Sequence, residues 1–119
     1  NTVVCAWLPQ KYHEAFPGVL NGGIIGSILD CHSNWAAAFY LMKSQNLKTT
    51  PCTVTADYSI KLKKPTPSDR LLTLSAELVS IKNNVAKINA HLLVDDVLFA
   101  SCLGTFVAVD SSHPAYHRW

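Results

Sequence analysis

Two places in the 119-residue chain carry groups suited to chemistry. The first is Asn21-Gly22-Gly23, at the head of a long stretch without proline. A helix that starts there has leading N–H groups with no intrahelical partner, at the positive end of the helix dipole. Glycines at that point let a ligand approach the backbone, which suits an anion or a developing oxyanion. Close packing of a helix on a loop is the other use of such a pair. The second place is Asp30, flanked by Ile28, Leu29 and Cys31, about two turns into the same helix. A carboxylate among apolar neighbours is costly unless something pairs with it. Either a lysine or hydroxyl meets it, or a cleft makes use of it.

Other reactive patterns are missing. The five histidines, His13, His32, His91, His113 and His117, have no metal-ligand spacing. The four cysteines, Cys5, Cys31, Cys52 and Cys102, stand alone, so neither a disulfide framework nor a zinc site is expected. Buried free thiols in a reducing cytosol fit better. There is no G-x-S-x-G elbow and no phosphate loop. No metal and no cofactor are expected.

The elements that must hold these groups can be read from periodicity. Val3 to Leu8 suits a short strand, and Lys11 to Gly18 reads as a loop closing on Phe16-Pro17-Gly18. Val19 to Thr50 contains no proline and is rich in alanine, so one long helix is predicted over about 22–45, with Asn21 as its N-cap. That helix is apolar on most sides, which implies burial nearly all round. Gly23, Ser27, Asp30 and Asn34 form one polar stripe along it.

Strict alternation follows from Thr53 to Lys63. It puts Val54, Ala56, Tyr58, Ile60 and Leu62 on one face and Thr53, Thr55, Asp57, Ser59 and Lys61 on the other. Further strands are predicted over Arg70 to Ile81, with Leu72, Leu74, Ala76 and Leu78 in phase, over Val85 to Val94, with Ala86, Ile88, Ala90 and Leu92 inward and Lys87, Asn89 and His91 outward, and over Val97 to Val109. Their connections are Pro65–Asp69, Asn83-Asn84 and Asp95-Asp96. Gly104 marks a bulge or a close approach, and 111–119 reads as a tail. Short sequential connections mean antiparallel pairing. The predicted architecture is α+β, a single domain over 1–119 in which an antiparallel sheet curls around one helix.

Composition narrows the partners. Ten basic against eight acidic residues give a formal charge of +2, far below the footprint of a nucleic-acid-binding module. Only 15% of residues are charged while 49% are apolar, so part of the surface is expected to be buried in an oligomer. No apolar run reaches the roughly 18 residues of a membrane span. Asn1 to Gln10 has no basic leader region, so a cytoplasmic protein is expected.

Phe16-Pro17-Gly18-Val19-Leu20-Asn21-Gly22-Gly23, followed after six residues by Asp30, resembles the signature of PaaI-type hotdog-fold acyl-CoA thioesterases. Thr55 to Pro65 resembles that family's next strand, which ends in a basic residue and proline, and Ala100 to Val107 its last strand. The resemblance runs from about Ala6 to Val109. It implies a hotdog fold, one central helix wrapped by a curved antiparallel sheet. It also implies hydrolysis of an acyl-CoA to free acid and CoA. In such a site the Gly22 N–H binds the thioester oxygen, with Gly23 beside it. Asp30 is the catalytic carboxylate, and Thr55 holds the attacking water. Two protomers share the site in a homodimer or homotetramer, glycine from one chain and Asp from the other.

Asn21 stands where the family carries His; its amide can donate a hydrogen bond or cap the helix but cannot titrate near neutral pH. The related β-hydroxyacyl-ACP dehydratases pair a catalytic His with a Glu at the position of Gly23, so this sequence fits that reaction poorly. CoA phosphates require cations, and Lys63 and Lys64 are the candidates nearest the site. The alternative to an enzyme is a non-catalytic acyl-CoA-binding hotdog module.

Overall fold

The computed structural model describes residues 1–117. Its elements are β1 (Val3–Trp7), a 3₁₀ turn (Lys11–His13), β2 (Glu14–Phe16), β3 (Val19–Leu20), α1 (Gly22–Ser44), β4 (Cys52–Leu62), β5 (Leu72–Lys82), β6 (Val85–Val94) and β7 (Val97–Val109). Five strands form one antiparallel sheet in the order β1-β5-β6-β7-β4, and β2 and β3 make a separate small hairpin. The helix packs on β4, β5, β6 and β7. This is the predicted helix-in-sheet architecture. The loop expected over Lys11 to Gly18 is instead a 3₁₀ turn and the first strand of the hairpin.

Both ends of α1 are set by local chemistry. Asn21 is in extended backbone, and its Oδ1 accepts the Gly23 N–H at 2.7 Å, satisfying one of the orphan donors. At the other end Asn46 takes a left-handed φ of 56°. The Leu47 N–H then reaches Met42 O at 2.9 Å and the Asn46 N–H reaches Lys43 O at 3.3 Å, the bond pair of a Schellman stop. Between them Ile25, Leu29, Ala36, Ala37 and Leu41 are buried against the sheet. Phe106, Leu72, Ile88 and Leu92 are fully buried opposite, each burial stabilising by about 1.5–3 kcal/mol.

The helix is not covered all round. Gly23, Ser27, Cys31 and Trp35 stay exposed, so burial on every side is corrected for the protomer. The polar stripe also splits. Gly23 and Ser27 face outward, while Asp30 and Asn34 are half-buried against β4.

In β4 the predicted alternation is interrupted. Thr55 pairs with Phe106 and Asp57 with Thr105, so Ala56 is an extra residue, a β-bulge. One inserted residue reverses the facing of everything beyond it. Thr53 and Thr55 therefore face the helix on one side of the bulge, and Ile60 and Leu62 on the other. The sequence pattern had set them on opposite faces. Thr53 is buried, and Ala56 and Tyr58, which the pattern set on the apolar face, are exposed. A second bulge lies between Leu78 and Ser80 in β5, and Leu78, in phase with the buried Leu72, Leu74 and Ala76, is exposed beside it.

In β6 the alternation holds as read: Ala86, Ile88, Ala90 and Leu92 are buried and Lys87 is exposed. Asp95 and Asp96, both at positive φ, make the two-residue hairpin into β7, where the backbone twist matches the strands.

Gly104 is the close approach rather than a bulge. It pairs in register with both Ile88 and Tyr58, and a Cβ there would lie 2.7 Å from the Phe106 ring. Phe106 is fully buried and has little room to yield. Gly104→Ala is expected to destabilise the fold by about 1–3 kcal/mol, the cost of overpacking. Chemical denaturation of the two proteins measures it, and an unchanged midpoint would show that the ring moves freely.

Candidate active site

The helix start opens into a cleft of about 330 Å³ lined by Phe16, Val19, Leu20, Gly22, Ile25 and the segment Leu62 to Thr66. Gly22, Lys63 and Lys64, predicted separately from sequence, thus line one space. Gly22 is the first helical residue, so its N–H has no intrahelical acceptor. The Gly23 N–H is already held by Asn21 Oδ1, which leaves Gly22 the freer donor of the pair. Of the two roles open to Asn21, capping is the one it performs. A Cβ on Gly22 would sit 3.2 Å from Leu62 Cδ1, so a side chain there would press into the cleft wall.

Lys64 carries its ammonium 5.6 Å from the centre of the Phe99 ring, a cation–π contact that keeps the charge at the cleft edge. Arg70, another cation near these strand ends, is taken up in an ion pair with Asp95.

The walls of the cleft are the β2–β3 hairpin and the segment after β4, and sequence reasoning missed how they are joined. Leu20 N–H donates to Thr66 O at 2.9 Å, and Ser68 N–H to Gly18 O at 3.1 Å. Glu14 Oε2 accepts the Gly18 N–H at 2.9 Å and also the Ser68 hydroxyl. The Ser68 hydroxyl first, then the Gly18 amide, hold the Glu14 carboxyl below its ordinary range. Thr66 Oγ1, in the same wall, is buried without a hydrogen-bond partner. Only the Phe-Pro-Gly turn and the Lys-Lys-Pro run hinted at these walls.

Asp30 lies elsewhere on the helix. Its Oδ1 accepts the Thr55 hydroxyl at 2.7 Å, so the hydroxyl partner foreseen for a half-buried carboxylate is Thr55. One turn on, Asn34 and Thr53 bond each other's backbone carbonyls at 3.4 Å. These pairs tie the polar flank of the helix to β4. Gly22 and Asp30 are eight residues apart on one helix, or about 12 Å along its axis. Within a protomer they cannot both touch one carbonyl group.

Among the described residues no group of His, Cys, Asp or Glu is arranged to hold a metal ion. No helix there is long and apolar enough to cross a membrane. All four cysteines are free, and burial pushes the Cys102 thiol above its ordinary value.

A scan against protein-family models and a search of curated proteins each find no match. Solved structures do match. A thioesterase superfamily protein from Shewanella loihica PV-4 is 26% identical with a TM-score of 0.78, covering 92% of this chain and 84% of that one. A phenylacetic acid degradation-related protein from Ralstonia eutropha JMP134, described as a thioesterase, is 19% identical with a TM-score of 0.74, covering 90% and 76%. A hypothetical thioesterase protein from Streptococcus pneumoniae TIGR4, solved with coenzyme A, is 17% identical with a TM-score of 0.77, covering 91% and 78%. The fold is the hotdog of the thioesterase superfamily.

The cap on the helix start can be tested apart from any activity. Asn21→Ala removes the acceptor of the Gly23 N–H and should cost about 1 kcal/mol of stability, whereas Asn21→Asp should cost little. Thermal unfolding of both variants reads this, and equal losses would mean that the side chain does not act as a cap.

Proposed function

We propose that the protein is an acyl-CoA thioesterase whose active site forms between two protomers. The observation that carries this is the Thr55–Asp30 pair, a hydroxyl donating to a half-buried carboxylate beside an edge strand. Because the Thr55 proton points at Asp30, its oxygen lone pairs are free to accept from a water molecule. That water attacks the thioester carbon and Asp30 takes its proton, or Asp30 itself attacks and water then releases the acyl group. In either route the carbonyl oxygen gains charge, which a Gly22 N–H stabilises. The C–S bond breaks and the CoA sulfur leaves, taking up a proton. Lys63 and Lys64 at the mouth of the cleft offer cations to the phosphates of CoA. Asn21 holds the glycine end in place, and Gly23 contributes through that cap rather than through a free donor. The CoA-bound neighbour supports this choice of substrate class.

The about 12 Å between Gly22 and Asp30 supports a site composed from two chains. β4 lies at the edge of the sheet and presents Tyr58 and Leu62, both exposed, where a second copy can pair. Four free thiols suit a reducing, cytoplasmic setting. A second reading, an acyl-CoA-binding module without chemistry, draws support from Asn21, whose amide is engaged as a cap and cannot carry a proton. Asp30 and Thr55 have no evident use in a pure binder.

Thiol release over a panel of acyl-CoAs separates the two readings. Asp30→Asn keeps the shape and should lower kcat by about 10²-fold or more with little change in KM, since the loss falls on the transition state. Thr55→Ala should cost less. A correctly folded Asp30→Asn protein that turns over at the wild-type rate would falsify the mechanism.

The shared site has its own test. Proline is tolerated at the first helical position, and Asn21 already has the extended backbone that proline requires before it. Gly22→Pro therefore removes the oxyanion donor and spares the helix, its ring pressing on the end of the exposed Leu62 side chain. Gly22→Pro and Asp30→Asn should each be inactive alone. Co-refolded in equal amounts, they should recover about a quarter of the wild-type rate, because half the dimers are mixed and each mixed dimer has one intact site of two. No recovery would place both groups in one chain's site.

A further inference from the structure

Glu14 joins the two walls of the Gly22 cleft, and nothing in the reaction above uses it. The base of the β2–β3 hairpin is fixed independently. The His13 ring packs at 4.9 Å on Trp7 of β1, His13 Nδ1 accepts the Gln10 N–H at 2.8 Å, and His13 O accepts the Asn21 N–H at 2.9 Å. The tip has less support. Gly18 has a φ of +83°, nothing lies within 4 Å of the place a Cβ would take, and Phe16 is exposed. What crosses from this tip to the opposite wall is the Val19–Pro67 bridge, made by two backbone hydrogen bonds, and the Glu14 carboxylate. That one oxygen accepts from both the hairpin turn, at the Gly18 N–H, and the far wall, at Ser68 Oγ. Hydrogen bonds to an ionised acceptor are about twice as strong as neutral ones.

We infer that Glu14 is a positioning residue that latches the hairpin to the segment 63–68 and so sets the width of the cleft that receives the CoA portion of the substrate. This rests on the reading of the cleft given under the proposed function. The latch touches neither the Asp30–Thr55 pair nor Gly22, so its effect falls on binding. The same contacts hold Phe16, Val19 and Leu20 at a fixed separation from Lys63 and Lys64. A loosened hairpin would have to be re-ordered each time a ligand enters, and that ordering is charged against affinity.

Native-state hydrogen exchange and CoA affinity test it together. In Glu14→Ala the amides of Gly18, Leu20 and Ser68 should lose protection while those of the α1 interior keep theirs. CoA should bind about tenfold more weakly, the size expected when a loosened segment must be re-ordered on binding. In turnover the change should appear in KM, with kcat held. Glu14→Gln keeps one acceptor and should lie between. If Glu14→Ala does not fold, Ser68→Ala removes one of the two donors and is read in the same way. Unchanged exchange at Gly18 and Ser68, or loss of protection with unchanged CoA affinity, overturns the latch. A wild-type protein that binds no CoA overturns the reading of the cleft instead, and the exchange result still decides whether Glu14 joins its walls.

Discussion

Strict alternation along β4 would put Thr55 and Ile60 on opposite faces of the sheet. They share a face because Ala56 is one residue too many for its partner strand. The site depends on that insertion. Without it, either the apolar residues that seat the start of the helix or the hydroxyls that meet its polar flank would point away. With it, the far end of β4 offers Ile60 and Leu62 to Gly26 and Gly22, and the near end offers Thr55 and Thr53 to Asp30 and Asn34. A helix with an apolar first turn and a polar flank two turns later can then lie on a single strand.

The same geometry explains how a carboxylate survives in a helix this apolar. Full burial of an unpaired Asp is prohibitive. Asp30 is only half-buried, and the Thr55 hydroxyl donates to it. This arrangement holds the carboxylate in a fixed rotamer and leaves its other oxygen unassigned. A salt bridge to lysine would also have met the cost of burial, but it would have engaged the charge that a base or nucleophile needs.

Much of this was legible in the sequence, for identifiable reasons. The helix bounds followed from Asn21 and from the proline-free stretch, and both termini fall within a residue of expectation. The strand phases of β6 and the hairpin at Asp95-Asp96 followed from alternation and turn chemistry. The glycine pair and Asp30 stood out because their residue types conflict with an ordinary buried helix. The facing of β4 was not legible. Ala56 carries no mark of a bulge, and the apolar alternation continues through it without a break. The Glu14–Ser68 link was hidden because it joins residues 54 positions apart by contacts that no periodicity records. The exposed stripe Gly23, Ser27, Cys31 and Trp35 was obscured by its own composition, which reads as half apolar.

That stripe and the edge of β4 bear on the same physical question, which is what covers the apolar surface that the protomer leaves exposed. A domain of this length buries a modest share of its surface by itself. Here Trp35, Tyr58, Leu62 and Leu103 all remain exposed. Tyr58 and Leu62 lie on β4 itself, one of the two edge strands of the sheet. In the proposed dimer, pairing at that edge removes apolar surface and open backbone groups from water together. It also carries a second helix start toward Asp30, which the protomer's own helix, with its glycine about 12 Å away, cannot supply. Stability and chemistry then place the same demand on one surface. In that proposal, the surface that completes the site is the one where the sheet has a free edge.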